Sequence, residues 1–311
     1  MLCEIKNLYE ARSDVTLTSY ILDNSPEMLN GKKRPAVLIC PGGGYMSCSD
    51  REGEPAAMAF AAMGYHAFVL RYSVYNEGGG FSMEFDNMPP KKHCVFPNPM
   101  RDIGKAMLYI KERADKWFLD ADKIAVCGFS AGGHNCAMYS MYWDKPVMTN
   151  FFGVNADMLR PAVCILGYPV TDYLHMKASK GSNPFNKKIE QGATIAFFGT
   201  SEPDDEKYAE ASPARLAGKN TPPMFIWATY EDSLVPVQQA VLLAAALAEN
   251  KIPFEAHLFE GGRHGLSIAT QASSGAKSEI NDDAARWIDL CGAWLKKRFA
   301  LDLPELRDFE K

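Results

Sequence analysis

Short apolar runs alternate with amphipathic stretches along most of this 311-residue chain. Five runs bounded by turn-forming residues are typical of strands buried on both faces, at 35–40, 66–72, 123–128, 161–168 and 223–229. A sixth run, at 254–259, alternates apolar and polar residues and indicates an edge strand. Helical patterns lie between these runs, at 54–63, 100–114, 132–142, 237–250 and 282–299. Because strands and helices alternate, the sequence predicts an α/β fold with a parallel sheet covered by helices on both faces.

Two long stretches interrupt this alternation. Residues 73–99 contain three consecutive glycines and several prolines, and residues 171–222 are polar with four prolines. Loops of this length are either functional lids and binding loops or surface excursions. Since no repeat or linker is visible, we expect a single domain over 1–311, with these two stretches as insertions.

A G-x-S-x-G motif, Gly-Phe-Ser-Ala-Gly-Gly at 128–133, follows the strand at 123–128 and opens the next helix. A serine on such a sharp strand-to-helix turn has a strained backbone and an exposed hydroxyl. Small residues at 128 and 132 let the turn pack closely on its neighbours. The helix N-terminus directs free N–H groups and the positive end of its dipole toward the site, which favours the anion of acyl transfer. The motif therefore predicts Ser130 as a nucleophile.

A serine hydroxyl needs a base, and the base needs an orienting acid. After a nucleophile on this kind of turn, the acid and then the histidine follow along the chain. Of the six histidines, only His264 lies in a glycine-rich loop after the last predicted strand, and it is the predicted base. Asp232 follows the strand at 223–229 and is the predicted acid. Glu231 beside it and Asp172, after an earlier strand, are the alternatives.

The first strongly apolar run ends in Pro-Gly-Gly-Gly-Tyr at 41–45. Three glycines let the backbone approach a substrate closely and aim N–H groups at one point. We expect the N–H groups of Gly43, Gly44 and Ala131 to hold an oxyanion. A phosphate-binding loop is the competing interpretation, but neither a following G-K-[ST] nor a G-x-G-x-x-G spacing is present.

Together these motifs resemble the α/β-hydrolase fold in its esterase and lipase branch. Pro-Gly-Gly-Gly-Tyr followed by Gly-Phe-Ser-Ala-Gly-Gly-His is similar to the acetyl-xylan-esterase-like group of carbohydrate acetyl esterases. The resemblance implies a mostly parallel sheet, loop insertions that form a cap, and a cytoplasmic serine esterase that removes short acyl groups, with acetyl groups on sugars as candidate substrates. Relatives with His in place of Pro41 use that side chain to brace the loop, so the brace differs in this chain. Four aromatic residues either wall an acyl or sugar pocket or lie in the core: Tyr45, Tyr72, Phe129 and Trp227.

Composition excludes several other classes. With 33 Lys and Arg against 38 Asp and Glu, the net charge is −5, and no basic run is present, which argues against a nucleic-acid partner. No apolar stretch approaches the roughly 20 residues that span a bilayer, and no signal peptide is visible. The eight irregularly spaced cysteines indicate free thiols. Neither a metal ion nor an organic cofactor is implied, and a homo-oligomer is compatible with the sequence.

Two other functions stay open at this point. A prolyl-oligopeptidase-like exopeptidase uses the same catalytic groups but usually carries a large additional N-terminal domain. A non-catalytic α/β-hydrolase that serves as a binding module usually lacks a member of the triad, whereas all three candidates are present in this sequence.

Overall fold

The computed structural model describes residues 1–77, 80, 88–179, 184–306 and 310, and in this part of the chain eight strands form one sheet. The order across the sheet is β1-β2-β4-β3-β5-β6-β7-β8. The strands are β1 (Leu2–Tyr9), β2 (Arg12–Ile21), β3 (Arg34–Cys40), β4 (His66–Arg71), β5 (Leu119–Phe129), β6 (Val163–Gly167), β7 (Met224–Thr229) and β8 (Phe254–Phe259).

The sheet is parallel from β4 to β8, as expected for strands connected by helical crossovers. Strand β8 lies at one edge, which confirms the edge strand predicted from its alternation. The hairpin β1–β2 joins β4 antiparallel at the other edge. This hairpin was not predicted, although β2 alternates half-exposed threonines with the fully buried Val15 and Leu17, a pattern typical of a strand with one face on the core.

The helices are α1 (Glu54–Ala62), α2 (Asn98–Glu112), α3 (Ala131–Tyr142), α4 (Pro146–Phe152), α5 (Tyr173–Ala178), α6 (Pro184–Phe198), α7 (Asp205–Glu210), α8 (Pro213–Leu216), α9 (Gln238–Glu249), α10 (Asp282–Ala285) and α11 (Trp287–Phe299). The five predicted helices correspond to α1, α2, α3, α9 and the pair α10–α11. Within the described residues, no helix combines the length and the apolar character needed to cross a membrane.

Two hydrophobic layers enclose the sheet. Successive residues of β5 point to opposite faces, so that Ile124 and Val126 join the layer under α2, α3 and α9, whereas Ala125 and Cys127 join the layer under α1 and α11. Helices on both faces of a mostly parallel sheet confirm the predicted fold class. The predicted thiols are free, and six of the eight cysteines are buried.

The prediction that residues 171–222 form a long loop is wrong, because the described residues of this stretch carry α5, α6, α7 and α8. Two aspartates cap the N-termini of helices that the polar composition of this stretch does not indicate. The Asp172 carboxylate accepts the His175 N–H at 2.9 Å, and the Asp204 carboxylate accepts the Lys207 N–H at 2.8 Å. Residues 180–183 of this stretch lie outside the described residues. So do Gly78, Gly79 and residues 81–87 of the other predicted insertion; its residues 73–77 and 88–97 have neither helix nor strand.

Candidate active site

Ser130 lies on a strained turn between β5 and α3. Its φ of +51° and ψ of −120° are rare for a residue with a side chain and cost on the order of 1–3 kcal/mol. The flanking glycines have no room for a side chain. A Cβ on Gly132 would lie 2.1 Å from the Cys40 carbonyl oxygen, and one on Gly128 would lie 2.2 Å from the Gly132 carbonyl oxygen. This close packing confirms the prediction that positions 128 and 132 need small residues.

The three predicted triad residues form one chain of hydrogen bonds. His264 Nε2 lies 2.8 Å from Ser130 Oγ, and His264 Nδ1 lies 2.6 Å from Asp232 Oδ2. Asp232 is buried, and its other oxygen, Oδ1, accepts the N–H groups of Leu234 and Val235, each at 2.9 Å. A carboxylate held in this way accepts the Nδ1 hydrogen, which leaves Nε2 as an acceptor for the Ser130 hydroxyl.

The environment of His264 favours its protonated form. Burial alone would lower its pKa, but the charge of Asp232, the hydrogen bond that His264 donates to that carboxylate and the charge of Glu52 raise the pKa above 6.5, against an opposing effect of Arg263. An imidazole that gains a proton readily next to a serine hydroxyl is suited to general base catalysis.

The alternative acids have other partners. The Glu231 carboxylate accepts the Gly262 N–H at 3.1 Å, and Asp172 forms an ion pair with Arg215 at 2.8 Å while capping α5. The His264 ring therefore pairs with Asp232 rather than with either of them.

The glycine loop at 42–44 lies next to Ser130. One of its backbone N–H groups is bonded within the protein, and in the described part of the chain two are not. The Gly42 N–H donates to Glu52 Oε2 at 2.7 Å and is not available to a substrate. Gly43 and Gly44 have φ of +132° and +61°, which favour glycine, and in the described residues no acceptor contacts their N–H groups. Ala131 is the first residue of α3, where the N–H has no acceptor within the helix. Ala131 and Gly44 line one cavity with Ser130.

Two buried side chains, Tyr72 and His134, brace the loop at 41–45. The Tyr72 hydroxyl donates to the Pro41 carbonyl at 2.8 Å. Burial lowers the pKa of His134 to about 4, so the ring is neutral, and its Nε2 donates to the Ala211 carbonyl at 2.8 Å. His134 Nδ1 is then an acceptor, and the Tyr45 hydroxyl donates to it at 2.6 Å. His134 thus orients Tyr45 and takes no part in the Ser130–His264 pair.

A cavity of about 510 Å³ opens onto Ser130, a size typical of small-molecule sites. Helices of the 171–222 stretch form one side of it, with Tyr173 and Met176 from α5, Glu190 and Thr194 from α6, and Tyr208 from α7. These residues confirm a cap, although the cap is helical. The sequence did not single them out, because their place over Ser130 depends on how the helices pack.

Of the four aromatic candidates for pocket walls, only Tyr45 lines this cavity. The expected contact of Phe129 with substrate is wrong for this cavity. Phe129 is fully buried between the rings of Tyr168 and Trp287, because alternation along β5 turns its side chain to the α1–α11 face together with Cys127. Tyr72 and Trp227 are also core residues. Within the described residues, no cluster of three or more His, Cys, Asp or Glu side chains is placed to hold a metal ion.

Comparison with known proteins gives one family and several relatives. The BD-FAE family model matches residues 24–247. Endo-1,4-beta-xylanase B of Butyrivibrio fibrisolvens is 36% identical over 242 residues, which are 76% of this chain, and the chain spans 33% of that protein's length. The carboxylesterase Cest-2923 of Lactobacillus plantarum is 26% identical, with coverage of 98% and 100% of the two chains and a TM-score of 0.76. The acetyl ester-xyloside bifunctional hydrolase of Caldicellulosiruptor lactoaceticus is 28% identical, with coverage of 91% and 88% and a TM-score of 0.69.

Proposed function

Since this chain belongs to the BD-FAE family of α/β-hydrolases, we propose that it is a serine carboxylester hydrolase that removes short acyl groups, acetyl above all, from carbohydrate esters. The observation that carries this proposal is the hydrogen-bonded chain Asp232–His264–Ser130, whose serine lines a cavity. The same proposal treats 1–311 as one catalytic domain that acts in the cytoplasm.

In the proposed reaction, Ser130 Oγ attacks the ester carbonyl while its proton passes to His264 Nε2. Asp232 keeps the imidazole in the correct tautomer and stabilises the imidazolium that forms. The N–H groups of Gly43, Gly44 and Ala131 hold the oxyanion; each such donor is typically worth about 3 kcal/mol of barrier.

The tetrahedral intermediate then loses its alkoxide as the C–O bond breaks, and His264 gives its proton to that leaving oxygen. This leaves the acyl group on Ser130. Water, deprotonated by His264, attacks the acyl-enzyme and releases the carboxylic acid and the free serine. Every step uses groups that the chain itself supplies.

The cavity walls support a small acyl group on a polar alcohol. Val170, Leu234 and Val235 offer apolar surface, whereas Lys187 and Glu190 add charged groups from the cap. Apolar walls with a few polar groups are typical of sites that orient small ligands. Two structural relatives, a carboxylesterase and an acetyl ester-xyloside hydrolase, support the same choice of bond and acyl group.

The test compares p-nitrophenyl esters of increasing chain length with acetylated xylo-oligosaccharides and aminoacyl-anilides. We expect turnover of acetate esters, a steep decline beyond butyrate and no turnover of the anilides. The Ser130→Ala variant, shown to be folded by circular dichroism, should lose at least about 10³-fold in kcat and all labelling by a fluorophosphonate probe. Equal labelling of that variant, preference for the anilides, or no hydrolysis of any activated ester by the wild type would overturn the proposal.

A further inference from the structure

Behind the glycine loop lies a buried carboxylate that the proposed reaction does not use. Glu52 ends a short 3-10 helix, Asp50–Glu52, and only 3% of its surface is exposed. Its Oε2 accepts the Gly42 N–H at 2.7 Å, and the Tyr168 hydroxyl lies 2.6 Å from its Oε1. A carboxylate so buried is costly to a fold unless its charge is compensated.

The hydrogen-bond partners of Glu52 show its protonation state. A backbone N–H can only donate, so Oε2 is an acceptor. The Tyr168 hydroxyl oxygen accepts the Ser267 N–H at 2.8 Å, so its own hydrogen is directed to Glu52 Oε1. With a donor on each oxygen, Glu52 is an anion. Burial raises the pKa of Glu52, and the two hydrogen bonds and the charges of His264 and Arg51 act against that rise.

Glu52 is close to both halves of the active site. A Cβ built on Gly42 would lie 2.8 Å from Glu52 Oε2 and 2.9 Å from Ser130 Cβ, so the glycine backbone alone separates the carboxylate from the nucleophile. On its other side, the Tyr168 ring packs edge-on against the His264 ring, with centroids 5.0 Å apart. Tyr168 therefore connects Glu52 to the loop that carries His264.

Arg51, the neighbour of Glu52, strengthens the same connection. Its guanidinium donates to the carbonyls of Gly265 at 2.9 Å and Ser273 at 2.7 Å, and its own carbonyl accepts the Ser267 hydroxyl at 2.6 Å. The short helix that holds Glu52 is thus fastened directly to the chain just after His264.

We propose that Glu52 is a positioning residue whose charged carboxylate fixes the glycine loop and the His264 loop relative to each other and favours the protonated state of His264 during the reaction. This inference rests on the proposed esterase function. Its two parts are separable, because the hydrogen bonds set geometry, whereas the charge acts on the proton affinity of His264.

The charged groups around the pair set the direction of the expected effect. His264 is influenced by Asp232, Glu52 and Arg263, and Glu52 by His264 and Arg51, with the uncharged Tyr168 and the Cys127 thiol also near the carboxylate. Without the negative charge of Glu52, Asp232 is, among the described residues, the one remaining carboxylate that raises the pKa of His264, and the cationic Arg263 still lowers it. The pKa of His264 should therefore fall.

The test is the Glu52→Gln variant, which keeps the size of the side chain. Its amide oxygen can still accept the Gly42 N–H, but its NH₂ group meets the Tyr168 hydroxyl oxygen, which already accepts from Ser267. We expect kcat for p-nitrophenyl acetate to fall about 10- to 100-fold, as for a modest misplacement of reacting groups, with KM changed less than about threefold. The acid limb of the kcat/KM profile should move to lower pH by roughly half a unit, less than the 1–3 units of a charge in direct contact.

The matched control is Glu54→Gln, which removes the same charge two residues later from an exposed side chain; its kcat and pH profile should equal those of the wild type. A Glu52→Gln variant that keeps the wild-type acid limb, with or without a lower kcat, would overturn the proposal. If Glu52→Gln does not fold, Tyr168→Phe decides. It leaves the carboxylate on Gly42 and removes the link to Ser267, so a kcat within threefold of wild type would also overturn the proposal. Failure of the esterase function itself is distinguishable, since the wild type would then be inactive.

Discussion

Replacing Asp232 by asparagine isolates the role of one oxygen atom. Two backbone N–H groups, from Leu234 and Val235, hold Oδ1, so the new amide must keep its oxygen there and turn its NH₂ toward His264. His264 Nδ1 must then accept a hydrogen bond, which moves the ring hydrogen to Nε2. In that tautomer Nε2 faces Ser130 Oγ as a donor and cannot accept its proton.

The expected loss in kcat is about 10⁴-fold, because the geometry survives and only the tautomer is wrong. At about 1.36 kcal/mol for each factor of ten, this is about 5.5 kcal/mol of transition-state stabilisation. The assay is hydrolysis of p-nitrophenyl acetate at pH 8, with thermal unfolding to show that the fold is kept. Asp172→Asn is the control, since Asp172 pairs with Arg215, and its kcat should stay within about tenfold of wild type. An Asp232→Asn enzyme within tenfold of wild type would refute the assignment of the acid.

Three further predictions concern the same site. Activity requires neutral His264, whose pKa is raised, so kcat/KM should fall as pH decreases, with a midpoint above 6.5; a midpoint below 6 would contradict the charge environment. Gly132→Ala should lower the free energy of unfolding by about 3 kcal/mol or more, because its Cβ would lie 2.1 Å from a carbonyl oxygen, whereas Gly218→Ala, with its nearest atom at 3.9 Å, should cost under about 1 kcal/mol in the same urea titration. Tyr45→Phe leaves the buried Nδ1 of His134 without a donor and should cost about 1–3 kcal/mol by urea unfolding; an unchanged midpoint would refute that hydrogen bond.

The parts of the fold that could be predicted are those encoded locally. Strands β3 to β7 appear as short apolar runs and β8 as an alternating one, and Ser130 and His264 lie in glycine-rich turns whose position after a strand already limits their role. The acid was harder to choose, because Asp172 also follows a strand. Only the three-dimensional structure reveals that its carboxylate caps α5 and pairs with Arg215.

What the sequence did not indicate depends on contacts between distant segments. Glu52 and Tyr168 are 116 positions apart, and neither stands in a recognisable motif. The cap helices α5 and α7 have only six residues each, so their stability comes from packing and capping rather than from propensity. Phe129 was wrongly predicted to line the pocket because it is next to Ser130 in the sequence. Ser130 faces the cavity, whereas strand alternation turns the Phe129 side chain away from it.

The cap has a consequence for how this enzyme can change. In the proposed reaction the catalytic groups come from the chain just after β5, β7 and β8 and from the loop after β3, whereas one wall of the cavity comes from helices between β6 and β7. If the proposed reaction holds, we expect replacement of Glu190 or Thr194 on α6 to alter which alcohol is accepted without moving the catalytic groups. Evolution toward a new substrate can therefore proceed by substitutions in this segment while the catalytic residues stay the same.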